Sequence, residues 1–138
     1  MSGAYNNLEI TQFSTSTLLK ESLELSINRD VIDISDKNYT LSGDLIKLSV
    51  VIKNLLDNIE KYAKTDVPCE FLVEQTEKFT NITIRDFGPG IDDALLVDIK
   101  KPFVQGKHNT SKGFGLGLSI CNKVVLAHNG KFIIQNNS

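Results

Sequence analysis

The feature that most constrains this chain is a single long stretch of helical periodicity near its middle. Across residues 44–64, apolar side chains recur at Leu45, Leu48, Ile52, Leu55 and Ile59, with Asp44 placed as an N-cap. Such a helix is stable only when its apolar side is covered, and the flanking segments supply the cover. Before it, residues 14–25 read as a shorter amphipathic helix (Leu18, Leu19, Leu23, Leu25), residues 31–34 as a short strand and residues 39–41 as another. After it, residues 69–74 and 79–86 read as strands, the second with Ile82 and Ile84 on one side and Asn81, Thr83 and Arg85 on the other. Residues 92–112 have weak periodicity and are expected to form a loop with a helical turn. A last helix is predicted over residues 116–128, closed by Asn129-Gly130, and a last strand over residues 131–135. This order predicts an α/β (α+β) two-layer sandwich, a mixed β-sheet with helices on one face.

Length and charge narrow the function classes. The 138 residues make one domain, 1–138, and 41% hydrophobic with 23% charged residues is enough for a packed core. A net charge of −2 argues against nucleic acid as a partner. No apolar run reaches the roughly 18 residues of a membrane span, and the N-terminus lacks the pattern of a signal peptide. The expectation is therefore a cytoplasmic domain that is not itself membrane-inserted, whose parent protein is anchored, if at all, by a segment outside this chain. Cys69 and Cys121 stand far apart without CxxC or histidine neighbours, so they read as small buried hydrophobes and not as metal or redox groups.

Three segments carry candidate chemistry. On a helical wheel Asn58 and Lys61 fall within about 40° of Asn54, on one face. Leu48, Leu55 and Ile59 lie on the core side, and Lys53, Asp57, Glu60 and Lys64 on the remaining, solvent side. A solvated helix side explains the strip when it is taken alone, although two asparagines one turn apart are unusual in a good helix. The second segment is Asp86-Phe87-Gly88-Pro89-Gly90-Ile91. Its glycines permit close approach of a ligand and its aspartate can accept hydrogen bonds from an amino group; a plain turn is the competing reading. The third is Gly113-Phe114-Gly115-Leu116-Gly117-Leu118, which exposes backbone N–H groups at a helix N-terminus, where anions bind. Its spacing matches neither the dinucleotide fingerprint nor the P-loop.

Taken together and in this order, with Pro102-Phe103 between the second and third, these segments resemble the asparagine box, first glycine box, phenylalanine box and second glycine box of bacterial sensor histidine kinases, within the GHKL ATP-binding superfamily. Gly43-Asp44 and Ala127-His128-Asn129-Gly130 extend the resemblance, which covers residues 40–135. The family fold is the same two-layer sandwich. The resemblance implies ATP and Mg²⁺ as ligands, with Asn58 coordinating the metal and Asn54 assisting near it. Lys61 pairs with a phosphate, Tyr62 lies over the adenine, and Asp86 accepts from the adenine amino group. Gly88, Gly90 and Ile91 shape the base pocket. Phe103 and Lys107 belong to the lid, and Gly113, Gly115, Leu116, Gly117 and Leu118 to the phosphate side. Asn54, Asn58 and Lys61 are the implied catalytic set.

One position separates reaction classes. Members that hydrolyse ATP carry a glutamate base where Asn54 stands, so transfer of the γ-phosphoryl group to another nucleophile is implied here. That nucleophile would be a histidine on a separate dimerisation and phosphoacceptor domain. His108, in the lid, and His128, at a helix end, are not expected to take the role. The implied partners are that domain and, through the full-length kinase, a response regulator. The alternatives are a serine kinase of the anti-sigma type and a degenerate nucleotide-binding module. The chain departs from the family pattern at Ile59, Glu60, Phe87, Lys100 and Gln105. It also stops where the family usually adds a hairpin strand, which predicts an exposed edge over residues 131–135.

Overall fold

A computed structural model of the chain describes residues 7–62, 66–88 and 114–134; the side chains of Tyr62 and of residues 114–117 lie outside that description. The chain divides into two compact units, one formed by Glu9–Pro89 and the other by Met1–Leu8 with Gly90–Ser138.

The first unit holds β1 (Thr11–Ser14), α1 (Thr15–Leu25), β2 (Val31–Asp33), β3 (Thr40–Gly43), α2 (Leu45–Tyr62), β4 (Cys69–Gln75) and β5 (Thr80–Arg85). Strand β1 pairs antiparallel with β3, bringing Phe13 opposite Leu41. Strands β2, β4 and β5 form a mixed sheet with β4 central, parallel to β2 and antiparallel to β5. The parallel pair requires a long crossover, and α2 is part of it. The β4–β5 pair is a local hairpin, closed by the Thr76 N–H donating to the Phe79 carbonyl at 2.8 Å.

Capping decides where the helices begin. The Ser14 hydroxyl accepts from the Thr17 N–H at 3.1 Å and starts α1. Asp44 starts α2: Oδ1 accepts from the Lys47 N–H at 3.0 Å, and Oδ2 accepts from the Glu9 N–H at 3.0 Å. The N-cap carboxylate thus also fastens the segment leading into β1. Burial opposes ionisation of Asp44, but the Glu9 and Lys47 N–H groups and the Lys47 ammonium outweigh it and hold the carboxyl below its ordinary value.

The core lies between the helices and one face of the strands. Phe13, Leu18, Leu41, Ile52, Leu56, Cys69, Phe71 and Val73 are buried together, with Leu48, Ile59 and Ile84 packed against them. Strand β4 follows the pleat: Cys69, Phe71 and Val73 are buried, while Glu70 on the other face pairs with Arg85 at 3.6 Å. The mixed sheet with helices on one face is therefore present as read from the sequence.

Several details differ. The centre of the buried side of α2 is Val51, Ile52 and Leu56, with Leu48, Leu55 and Ile59 half-buried around it. Leu25 is exposed, and the small residues Thr15 and Ser22 are buried on α1 instead: Thr15 is bonded to the Tyr39 backbone, and the Ser22 hydroxyl donates to the Leu18 carbonyl at 2.7 Å. Strand β3 begins at Thr40, since the Tyr39 backbone bonds Thr15 in place of a strand partner.

In the second unit the described helix is α3 (Phe114–Ala127), with Leu118, Cys121 and Val124 buried. It begins two residues earlier than predicted, so Gly115 and Gly117 stand inside its first turn. Its end is a Schellman cap: Gly130 N–H donates to the Val125 carbonyl at 2.9 Å and Asn129 N–H to the Leu126 carbonyl at 2.9 Å, with Asn129 left-handed at φ 62°. The strand predicted over residues 131–135 is not formed across 131–134, because alternation without a hydrogen-bonded neighbour does not make a strand; Gln135 lies outside the described residues.

Candidate functional site

Helix α2 presents the polar strip where the sequence puts it. Asn54 and Asn58 are half-buried one turn apart, and Lys61 is exposed at the last turn. The Asn58 Nδ2 atom is buried and has no hydrogen-bond partner among the described residues. Leaving a buried donor unpaired costs about 1–3 kcal/mol. The Ser49 hydroxyl of the same helix is also buried without a partner among the described residues, and it is the place of Asn58 on the polar strip that makes it the candidate ligand group. Asn54 differs: its Oδ1 accepts from the Lys53 ammonium at 3.4 Å.

Asp86 follows the last residue of β5. Because Arg85 stands opposite Glu70 at the start of β4, the carboxylate is fixed at the sheet end beside Cys69. Its Oδ1 accepts from the Gly88 N–H at 2.8 Å, closing an Asx turn. The turn brings the chain away from the sheet immediately after the carboxylate, which stays half-buried. Gly88 is half-buried beside it. Cys69 itself is buried, and that burial pushes its thiol above the ordinary value, as expected of a packed hydrophobe and not a nucleophile.

The sequence misassigned one residue of α2. Asp57, expected in solvent, accepts at Oδ1 from the Ser26 hydroxyl at 2.7 Å and the Ile27 N–H at 2.9 Å, and its Oδ2 pairs with Lys53 at 3.2 Å. It ties the connection after α1 to the helix that carries the asparagines. Burial opposes its ionisation, yet the Ser26 hydroxyl, the Ile27 N–H and Lys53 together keep its carboxyl below the ordinary value. A single-helix wheel carries no information about α1, and only the Ser26-Ile27-Asn28 run at a helix end hinted at a need for a carboxylate.

On the second unit, the N-terminal turn of α3 contains Gly115, Leu116 and Gly117, whose backbone N–H groups fall among those a helix leaves without intrahelical partners. Leu118 is buried and serves packing. The His128 ring nitrogen Nδ1 lies 2.8 Å from the Val124 carbonyl at the helix end, a structural contact. The Tyr62 side chain and Gly90, Ile91, Phe103, Lys107, His108 and Gly113 lie outside the described residues.

Among the described residues no three His, Cys, Asp or Glu side chains gather as a metal site. Two clefts elsewhere, of about 430 Å³ beside Ile34, Tyr39 and Leu72 and about 330 Å³ beside Asp30, Glu60 and Cys69, are lined by neither Asn54, Asn58 nor Asp86. Their size does not make them the site, since the unpaired amide and the turn-held carboxylate lie outside their walls.

Residues 43–138 match the family described as histidine kinase-, DNA gyrase B-, and HSP90-like ATPase. The sensor histidine kinase CssS of Bacillus subtilis is 30% identical over 132 residues, which is 96% of this chain and 27% of that protein. The signal transduction histidine-protein kinase BaeS of Escherichia coli is 35% identical over 99 residues, 70% of this chain and 21% of that protein. The chain thus spans little more than a quarter, or less, of these relatives. Among solved structures, the mycobacterial sensor histidine kinase MprB superposes with a TM-score of 0.67 at 24% identity, covering 88% of this chain and 81% of that one. The catalytic domain of histidine kinase ThkA gives 0.66 at 23% identity, covering 87% and 83%.

Proposed function

Because the chain belongs to the histidine kinase-, DNA gyrase B-, and HSP90-like ATPase family, we propose that it is the ATP-binding catalytic domain of a two-component sensor histidine kinase. Its reaction is transfer of the γ-phosphoryl group of ATP to a histidine on a separate dimerisation and phosphoacceptor domain. A histidine nitrogen attacks the γ-phosphorus, the N–P bond forms, and the bond to the β–γ bridging oxygen breaks. ADP leaves with that electron pair.

The observation that carries this reading is the buried Nδ2 of Asn58, without a partner among the described residues, on the same helix face as Asn54 and Lys61. Phosphoryl transfer asks little covalent chemistry of the protein; it asks for positioning and charge compensation. Lys61 supplies a point charge for a phosphate. Asp86, immobilised by its turn, is an acceptor suited to an exocyclic amino group, which selects adenine over a base presenting a carbonyl there. The first turn of α3, in its own unit, carries N–H groups without intrahelical partners, donors of the kind a phosphate takes. Asn58 Oδ1 is an oxygen of the kind Mg²⁺ takes and would be its protein ligand, which leaves the unpartnered Nδ2 as a donor for a phosphoryl oxygen; the ion when bound neutralises phosphate charge. Asn54 cannot accept a proton at neutral pH, so this chain lacks the base that hydrolysis needs at that position.

Kinship with sensor kinases favours histidine over serine as the acceptor and supports a response regulator as the partner of the full-length protein. No helix among the described residues is long and apolar enough to cross a membrane, which fits a catalytic module working beside any membrane anchor.

Calorimetric titration of the chain with a non-hydrolysable ATP analogue tests the reading. Saturable, Mg²⁺-strengthened binding is expected, with Asp86→Asn weakening it by about tenfold or more, the cost of an amide where an acceptor is needed. A folded chain that takes no nucleotide at millimolar concentration overturns it. Adding a separately produced phosphoacceptor domain and ATP should yield an acid-labile phosphoprotein; an acid-stable one would point to serine.

A further inference from the structure

Asn54 can present either a carbonyl oxygen or an amino group, and the two ends recognise opposite partners. Lys53 decides which. Its ammonium lies 3.4 Å from Asn54 Oδ1 and 3.2 Å from Asp57 Oδ2. An ammonium only donates, so the atom it meets on Asn54 is the carbonyl oxygen. The ammonium is itself held in place. Asp57, with a side chain only 13% exposed, spends Oδ1 on the Ser26 hydroxyl and the Ile27 N–H and keeps Oδ2 for Lys53. A chain of contacts therefore runs from the connection after α1, through Asp57 and Lys53, to the Asn54 amide.

Two consequences follow from charge. A divalent cation placed on an oxygen that already meets an ammonium would be repelled by it. The end of Asn54 left for a ligand is the Nδ2 amino group, a donor suited to a phosphoryl oxygen. Resting on the nucleotide-binding reading above, we infer that Lys53 is a positioning residue that turns Asn54 into a hydrogen-bond donor for the terminal phosphoryl group, leaving the metal to Asn58. The two asparagines of one helix face then hold different ligands, and Asn54 senses whether the third phosphate is there.

The test is calorimetric titration of the whole chain with a non-hydrolysable ATP analogue and, separately, with ADP, each with and without Mg²⁺. Lys53→Met keeps the aliphatic stem and removes the charge. It should weaken the triphosphate by about tenfold while shifting ADP by less than about twofold, and Lys53→Arg should restore the loss. Asn54→Leu, which keeps the volume and the neutrality but cannot donate, should show the same selective loss. Asn54→Ala should keep the Mg²⁺ dependence of binding that Asn58→Ala loses. Circular dichroism melts establish that each variant is folded, and Asn54→Leu carries the test alone if Lys53→Met is not. Equal weakening of both nucleotides in Lys53→Met, or none, overturns the inference, as does loss of Mg²⁺ dependence in Asn54→Ala. A wild-type chain that binds neither nucleotide overturns the nucleotide reading and this inference together; normal wild-type binding with unchanged variants overturns the inference alone.

Discussion

Asp57 shows how much one side chain can hold. It satisfies a hydroxyl and a backbone N–H of the segment after α1 and neutralises Lys53. Asp57→Ala strands those donors and should cost about 1–3 kcal/mol in urea unfolding at neutral pH. The sign of its pH dependence follows from the lowered carboxyl. Its stabilisation is complete above the ordinary value of 3.8 and fades as pH falls through the lower folded value. Asp57→Asn should therefore lose less stability than the wild type across that acid window; identical acid limbs would show that the carboxylate contributes nothing. Asn54, Asn58 and Lys61 were legible in the sequence because their relation depends on one helix. Asp57 was not, because its partners come from another.

At the scale of elements, packing and caps set the energies. Leu56 is fully buried where α2 meets the sheet, and Leu56→Ala should cost about 2–5 kcal/mol, measured by the same unfolding experiment. The end of α3 makes a finer test. A Cβ at Gly130 would lie 3.1 Å from Val125 Cγ1 and 3.3 Å from the Val125 carbonyl oxygen, so Gly130→Ala should lower stability by about 1 kcal/mol. Asn129→Ala, forced to the same left-handed φ of 62°, should cost a similar amount, about 1 kcal/mol. Thermal melts of the two variants check both values, and an unshifted midpoint refutes the cap. Periodicity and cap residues made α1, α2 and α3 readable. Residues 131–134 were misread because alternation reports which side chains could share a face, while a strand exists only through a neighbour supplied by the fold.

At the scale of the whole molecule, the order of boxes along the sequence carried the family, since four weak local signals at fixed spacing are jointly specific. What it could not carry was the pairing of strands, which depends on contacts far apart in the chain: β2 joins β4 across the whole of α2. The division into two units has a practical consequence. Each unit holds one buried thiol, Cys69 in the first and Cys121 in the second, and neither is in a disulfide. A buried thiol reacts with an alkylating reagent only when the structure around it opens. The chain thus carries one intrinsic chemical reporter per unit. Modification of the two thiols at equal rates would mean that the units open together, and earlier modification of one would identify the unit that opens first. Repeating the measurement with nucleotide present would reveal which half of the protein the ligand holds shut.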